Sequence, residues 1–322
     1  MSYKSVICYG VMAKKEATYA ATNTVFNTAT DSVLVSELPT VDISYVYDGA
    51  RPNSPASAGA LPYVAPVGRF AETSLTIEAR GSGSAYTSIA TVPPDVHALL
   101  EAAGFSASFG AGAITYVPTS SCAQGDSVAL RLFARGQQYT VIGGRTSFTL
   151  AADDASAATY TFNVSGLVSG SVTDNTVANL TYNQTLPPKT DNISLALGTF
   201  TTAVVRSFSL DYGRELSPRV DLNKTDAHAG FAGGRRNVVL TLTIETPATS
   251  SFDILELQRN ATEFATSFTI GSVTGNKVTV NLPQCQIIGV SNSEDGPVSL
   301  SELTIKPTAD VGLNNDISIV YN

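Results

Sequence analysis

The feature that most constrains this chain is a strand-and-helix pattern that it states twice. Val238-Val-Leu-Thr-Leu-Thr-Ile-Glu245 alternates Val238, Leu240, Leu242 and Ile244 with Val239, Thr241, Thr243 and Glu245, the period-two signature of a β-strand. After Pro247 the period changes. Ser250 or Ser251 is placed to cap a helix, Asp253 falls in its first turn, and Phe252, Leu255 and Arg259 share one face, which predicts a helix over 251–262. In the first half, Leu75-Thr-Ile-Glu78 repeats the letters of Leu242-Thr-Ile-Glu245. It is followed by a Gly/Ser/Thr loop and a short helix expected over 94–103, stopped by Gly104.

The echo extends in both directions. Asp42-Ile-Ser-Tyr-Val-Tyr-Asp-Gly49 answers Arg206-Ser-Phe-Ser-Leu-Asp-Tyr-Gly213, Tyr139-Thr-Val-Ile-Gly143 answers Cys285-Gln-Ile-Ile-Gly289, and Phe148-Thr-Leu150 answers Val298-Ser-Leu300. The offsets drift from 167 (Leu75 to Leu242) to 158 (Asp95 to Asp253) and 146 (Val141 to Ile287), while the order holds. Drifting offsets in a preserved order mean loops of different length between equivalent elements. The sequence therefore predicts a tandem duplication: an arm over 1–30, a first strand-rich domain over 31–170, a linker over 171–192 and a second domain over 193–322. A length of 322 residues suits two ordinary domains.

Composition narrows the function. Thr, Ser, Val and Ala abound, Trp is absent, and only 14% of residues are charged, which is a β-rich, charge-poor profile. With 19 basic against 27 acidic residues and no Lys/Arg run, the chain is ill suited to gripping nucleic acid, which is driven by phosphate neutralisation. Cys8, Cys122 and Cys285 are odd in number and far apart, which points neither to a disulfide framework nor to a zinc site. The N-terminus lacks the apolar core of a signal peptide, and no run reaches the ~18 apolar residues of a membrane span.

Two long connections stand out. Residues 49–68 hold Pro52, Pro55, Pro62 and Pro66 with apolar Leu61 and Tyr63, so neither a regular strand nor a helix fits. Residues 213–234 are polar, with Arg214, Arg219 and Lys224. Elsewhere, Arg135-Gly136 and Gly143-Gly144-Arg145 read as successive turns. Residues 1–30 fit a terminal arm, an edge strand or a frayed end.

No catalytic constellation emerges. His97 and His228 lie in different halves with no Cys nearby, and there is no HExxH, CxxC, GxSxG, Walker or dinucleotide motif. Asp153-Asp154 and Glu294-Asp295 read as solvated turns rather than a general acid–base pair. Neither a cofactor nor an enzymatic activity is expected.

One stretch has a family likeness. Thr91-Val-Pro-Pro-Asp-Val-His-Ala-Leu-Leu-Glu-Ala-Ala-Gly104, then Ile114-Thr-Tyr-Val-Pro-Thr-Ser120, then Gly143-Gly144-Arg145 resembles the major tail (tail tube) proteins of long, flexible-tailed bacteriophages. The likeness covers about 40–165; the second half, which lacks the Leu-Leu and Tyr-x-Pro-x-Ser letters, joins it only through the duplication. The resemblance implies mainly β architecture: two tandem β-sandwich or half-barrel tube domains, each flanked by one helix. Inner sheets would join edge to edge around a lumen, in rings stacked as the conduit for DNA ejection. It also implies that the chain is made in the host cytoplasm and built into the virion tail, without a membrane. Its main partner would be itself, as a homotrimeric, pseudo-hexameric ring with six wall segments, or as a hexamer with one copy outside. Tail terminator and baseplate or distal tail proteins would meet the tube, with the tape measure protein and DNA passing through without tight binding. Glu78 and Glu245, equivalent in the two copies, are the expected lumen-facing acids. Leu61, Tyr63, Arg214, Arg219 and Lys224 are the expected inter-ring residues. The competing readings are a baseplate hub or decoration protein and a carbohydrate-binding β-sandwich.

Overall fold

A computed structural model describes residues 9–48, 65–89, 94–120, 125–153, 156–175, 179–189, 193–224, 226–310 and 314–322. The chain is mainly β, with 52% strand and 4% helix. In the first half the strands are β1 (Gly10–Lys15), β2 (Ser32–Val33), β3 (Thr40–Asp48), β4 (Ala65–Glu78), β5 (Phe105–Gly110), β6 (Ala113–Pro118), β7 (Val128–Ala134), β8 (Gln137–Ala152) and β9 (Thr159–Val168). The short β10 (Thr173–Asp174) follows. The second half contains β11 (Ser194–Leu197), β12 (Val205–Asp211), β13 (Leu216–Val220), β14 (His228–Gly233), β15 (Val239–Glu245), β16 (Phe264–Ile270), β17 (Val278–Asp295), β18 (Val298–Pro307) and β19 (Ser318–Tyr321). The helices are α1 (His97–Ala102) and α2 (Ile254–Arg259).

All named ladders are antiparallel, and those of the two halves run in matching order. The first is β1-β7-β8-β9-β4-β3 and the second β11-β16-β17-β18-β15-β12. The stretch that reads as a terminal arm thus contains β1, held between β7 and β2 with Val11 and Met12 buried. The linker stretch contributes β10 to β8 and then crosses the surface. Thr181 N–H donates to Thr28 O, and Asn276 Nδ2 donates to Leu186 O.

Alternation is kept where it was read. Leu240, Leu242 and Ile244 face the core on β15, as do Leu75 and Ile77 on β4. The core is one continuous apolar cluster drawing on both halves. Tyr212 stacks on Phe148 at 5.0 Å and meets Phe105 at 4.9 Å, and Tyr321 donates to the Tyr160 hydroxyl at 3.3 Å.

Four local readings change. Both helices are shorter than predicted. The cap of α2 is Asp253, which has the extended backbone of a cap (φ −85, ψ 91) and accepts from Glu256 N–H at 2.9 Å, whereas Ser251 lies in the preceding turn, its N–H donating to Ala248 O. Gly143-Gly144 is not a turn but a bulge inside the single strand β8; Gly143 has φ +62, and its N–H donates to the buried Glu16 carboxylate at 3.1 Å. Residues 213–234 are not an open loop but the β13–β14 hairpin. Finally, Phe148–150 lie in β8 whereas Val298–300 open β18, so that last pair of echoes is not structurally equivalent.

Candidate assembly interface

Two ladders join the halves: β19 pairs with β6, in the register Ile319↔Tyr116 and Tyr321↔Ile114, and β12 pairs with β8. The second is the one that extends the sheet through β12. One edge of β12 pairs with β15, the other with the end of β8, in the register Phe208↔Ala152, Leu210↔Leu150 and Asp211↔Thr149. Leu210, fully buried, sits directly between Leu150 and Leu240. The pairing fuses the ladders into one eight-stranded run, β3-β4-β9-β8-β12-β15-β18-β17.

The two ends of that run are complementary. The second half of β8 is paired on both sides, with β9 and β12. The second half of β17, in the same place in its ladder, is paired only with β18 among the described residues. Likewise β12 is paired on both edges, whereas β3, its counterpart, is paired only with β4 among the described residues. The edge stretches 40–44 and 290–295 contain no Lys, Arg or Pro, the residues that commonly blunt a solvent-exposed edge.

Cross-strand neighbours share a face, so the registers also sort the side chains. One face of the run is the apolar core. The other carries Asp42, Glu72, Glu78, Asp211, Glu245, Asp295 and Glu302 amid Thr, Ser and Asn. Cations on it are few: Arg206 is paired with Glu245 at 2.9 Å, Arg145 is buried against the Tyr19 ring, and Lys306 stands at one end. Glu78 and Glu245 both lie on this face, half-buried at their strand ends. Glu78 is 3.5 Å from Arg80, whose main partner is Asp95 at 2.9 Å.

The expected loop residues separate. Leu61 and Tyr63 lie outside the described residues. Arg214 turns inward, donating to Ala102 O at the end of α1 at 2.8 Å. Arg219 and Lys224 are exposed toward the far end of the β13–β14 hairpin with Val220 and Leu222. The hairpin covers one end of the polar face: Phe70 meets Phe231 at 5.7 Å and His228 at 5.5 Å, and Arg69 pairs with Asp226 at 3.0 Å.

A cavity of about 630 Å³ opens where α1, the hairpin base and the end of β18 meet. Arg214, Arg235, Arg236 and Lys306 line it against one carboxylate, Asp316, which accepts two 2.7 Å bonds from Arg236. Burial holds the Arg214 guanidinium below its ordinary value, with Tyr212 opposing and Arg236 adding to the shift. Among the described residues, no group of three or more His, Cys, Asp or Glu is arranged to hold a metal ion. In the sequence only the Arg235-Arg236 pair hints at the cavity, as a pair that could hold phosphate or meet a carboxylate, because the cations come from three separate segments.

A model of the phage tail tube protein family matches residues 10–320, nearly the whole chain. The chain belongs to the phage tail tube protein family. A search of curated proteins returns no match. Membership makes this tail tube protein a structural component of the virion tail and implies self-assembly into a tube. No helix among the described residues is long and apolar enough to cross a membrane.

Proposed function

We propose that this tail tube protein carries two tandem tube segments per chain, that three chains close a ring, and that stacked rings form the conduit for DNA ejection. The observation that carries the reading is the β12–β8 pairing. It is a wall seam already made inside one chain, and it leaves at the ends of the run the same two kinds of edge, β3 and the second half of β17, unfilled. β3 of one chain fills β17 of the next, and a closed cyclic ring satisfies every edge. The matching strand orders support the duplication, so three chains supply six wall segments.

In this arrangement the open polar face lines the lumen. Its carboxylates, Glu78 and Glu245 among them, repel DNA phosphates, which suits a channel that must pass DNA and the tape measure protein without holding them. The far end of the β13–β14 hairpin, with Arg219 and Lys224, contacts neighbouring rings, a role that the likeness to tail tube proteins also gives to Leu61 and Tyr63. The tail terminator and the distal tail proteins close the two ends. Catalysis has no part in this role.

The test is the mass and symmetry of a single ring. Native mass spectrometry should give about 101 kDa for three chains of 33.6 kDa each. Ring images should show threefold symmetry with two alternating kinds of wall segment. A ring of six chains would overturn the trimer.

A further inference from the structure

The β17–β18 turn and the basic cavity occupy opposite ends of the same sheet. β18 runs from Val298 at the turn to Lys306 at the cavity, eight steps of ~3.3 Å, or roughly 26 Å. β15 confirms the polarity, with Val238 lining the cavity just before the strand starts and Glu245 opposite Leu300, near the turn. At the turn, Glu294 and Asp295 are exposed and have no cationic partner among the described residues. The β8–β9 connection, with Asp153, opens toward that same end, since Thr149 pairs with Asp211 beside Tyr212 at the cavity and β8 runs away from it to Ala152, opposite Phe208. At the cavity end, Arg236 is neutralised by Asp316, but Arg214, Arg235 and Lys306 make no ion pair among the described residues.

We infer that the acidic β17–β18 turn of one ring docks into the basic cavity of a chain in the adjacent ring, so that Glu294 and Asp295 meet Arg235 and Lys306. The inference rests on the tube reading and deepens it by naming a stacking contact and its occupant, a second copy of this chain. Two different patches at opposite ends make a heterologous contact, which does not close on itself and so propagates as a filament. Complementary charge also fixes polarity: a ring presented upside down sets acid against acid. Because the pairs form at a solvent-accessible rim, added salt weakens them.

The experiment uses the full-length chain with charge reversals. One variant carries Glu294→Lys and Asp295→Lys, a second Arg235→Glu and Lys306→Glu, and a third all four. Thermal unfolding of each establishes that it folds. Negative-stain images and sedimentation then report rings against tubes. The expected result is that each double reversal raises the protein concentration needed for tubes by at least about tenfold while rings still form, and that the four-fold variant restores tubes. Unchanged tube formation in either double variant would overturn the docking and leave the tube reading standing. Loss of tubes without recovery in the combined variant would overturn it too. If the wild-type chain makes neither rings nor tubes, the tube reading falls and the docking with it.

Discussion

Replacing Leu210 by Ala probes the junction on which the single-chain wall depends. Leu210 is fully buried, with Leu150 of the first half on one side and Leu240 of the second on the other. Buried Leu→Ala changes cost ~2–5 kcal/mol, depending on how far the site collapses. Here both flanking strands are held by their own ladders, so collapse is restricted and about 4 kcal/mol is expected. For a chain of this size each kcal/mol shifts Tm by roughly 2 °C, which gives a fall of about 8 °C. Differential scanning calorimetry of unassembled protein measures it, with Thr241→Ala on the polar face of β15 as a control expected to move Tm by less than about 2 °C. Because the core is continuous across the seam, one cooperative transition should shift as a whole. Two separate transitions, with only one responding to Leu210→Ala, would refute the shared-seam reasoning.

Gly230→Ala should cost at least about 2 kcal/mol in a denaturant titration, since Gly230 has φ +123 and a Cβ there would strike the Tyr19 hydroxyl; Tyr19→Ala in the same chain should recover part of the loss. Arg236→Leu leaves Asp316 without its two-bond partner at a largely buried site and should cost about 2 kcal/mol by the same measurement, whereas Arg235→Leu, exposed and unpaired, should be near neutral. His97 is held below its ordinary 6.5, first by burial, with Glu101 opposing, and its Nδ1 lies 2.8 Å from the Tyr116 hydroxyl. Below pH 6.5 the unfolded chain therefore takes up the proton first, so stability should fall as pH drops from 6.5 toward the folded value; Tm measured from pH 7.5 to 5.5 should show a flatter profile in His97→Gln.

What was legible in the sequence is what local chemistry encodes. Alternating Leu240-Thr-Leu-Thr-Ile244 must bury one face, so β15 and its counterpart β4 could be read directly. The bulge at Gly143 could not, because the carboxylate that satisfies its N–H belongs to Glu16, 127 positions upstream. A Gly-Gly-Arg triplet offers the same φ freedom to a turn and to a bulge, and only the distant acceptor decides. The β13–β14 hairpin was hidden for a related reason: Pro218 and the run of polar residues suppress the strand signal, and the hairpin is held by Phe70, Arg69 and Tyr19 from the other half. β1 was obscured by the polar stretch after it. The polar face was partly legible, since Glu78 and Glu245 were found by repetition, but Asp42, Glu72, Asp211 and Glu302 join them only through strand register.

The pairing of β12 with β8 has a kinetic consequence. Between separate molecules, an edge-to-edge contact must wait for an encounter set by concentration. Within one chain the partner strands share an effective concentration on the order of millimolar, whatever the dilution. In a ring of three such chains, half of the wall seams form during folding, before any two molecules meet. Assembly then has three seams to make between molecules rather than six, in two encounters rather than five, and a partly built ring has fewer places from which to fall apart.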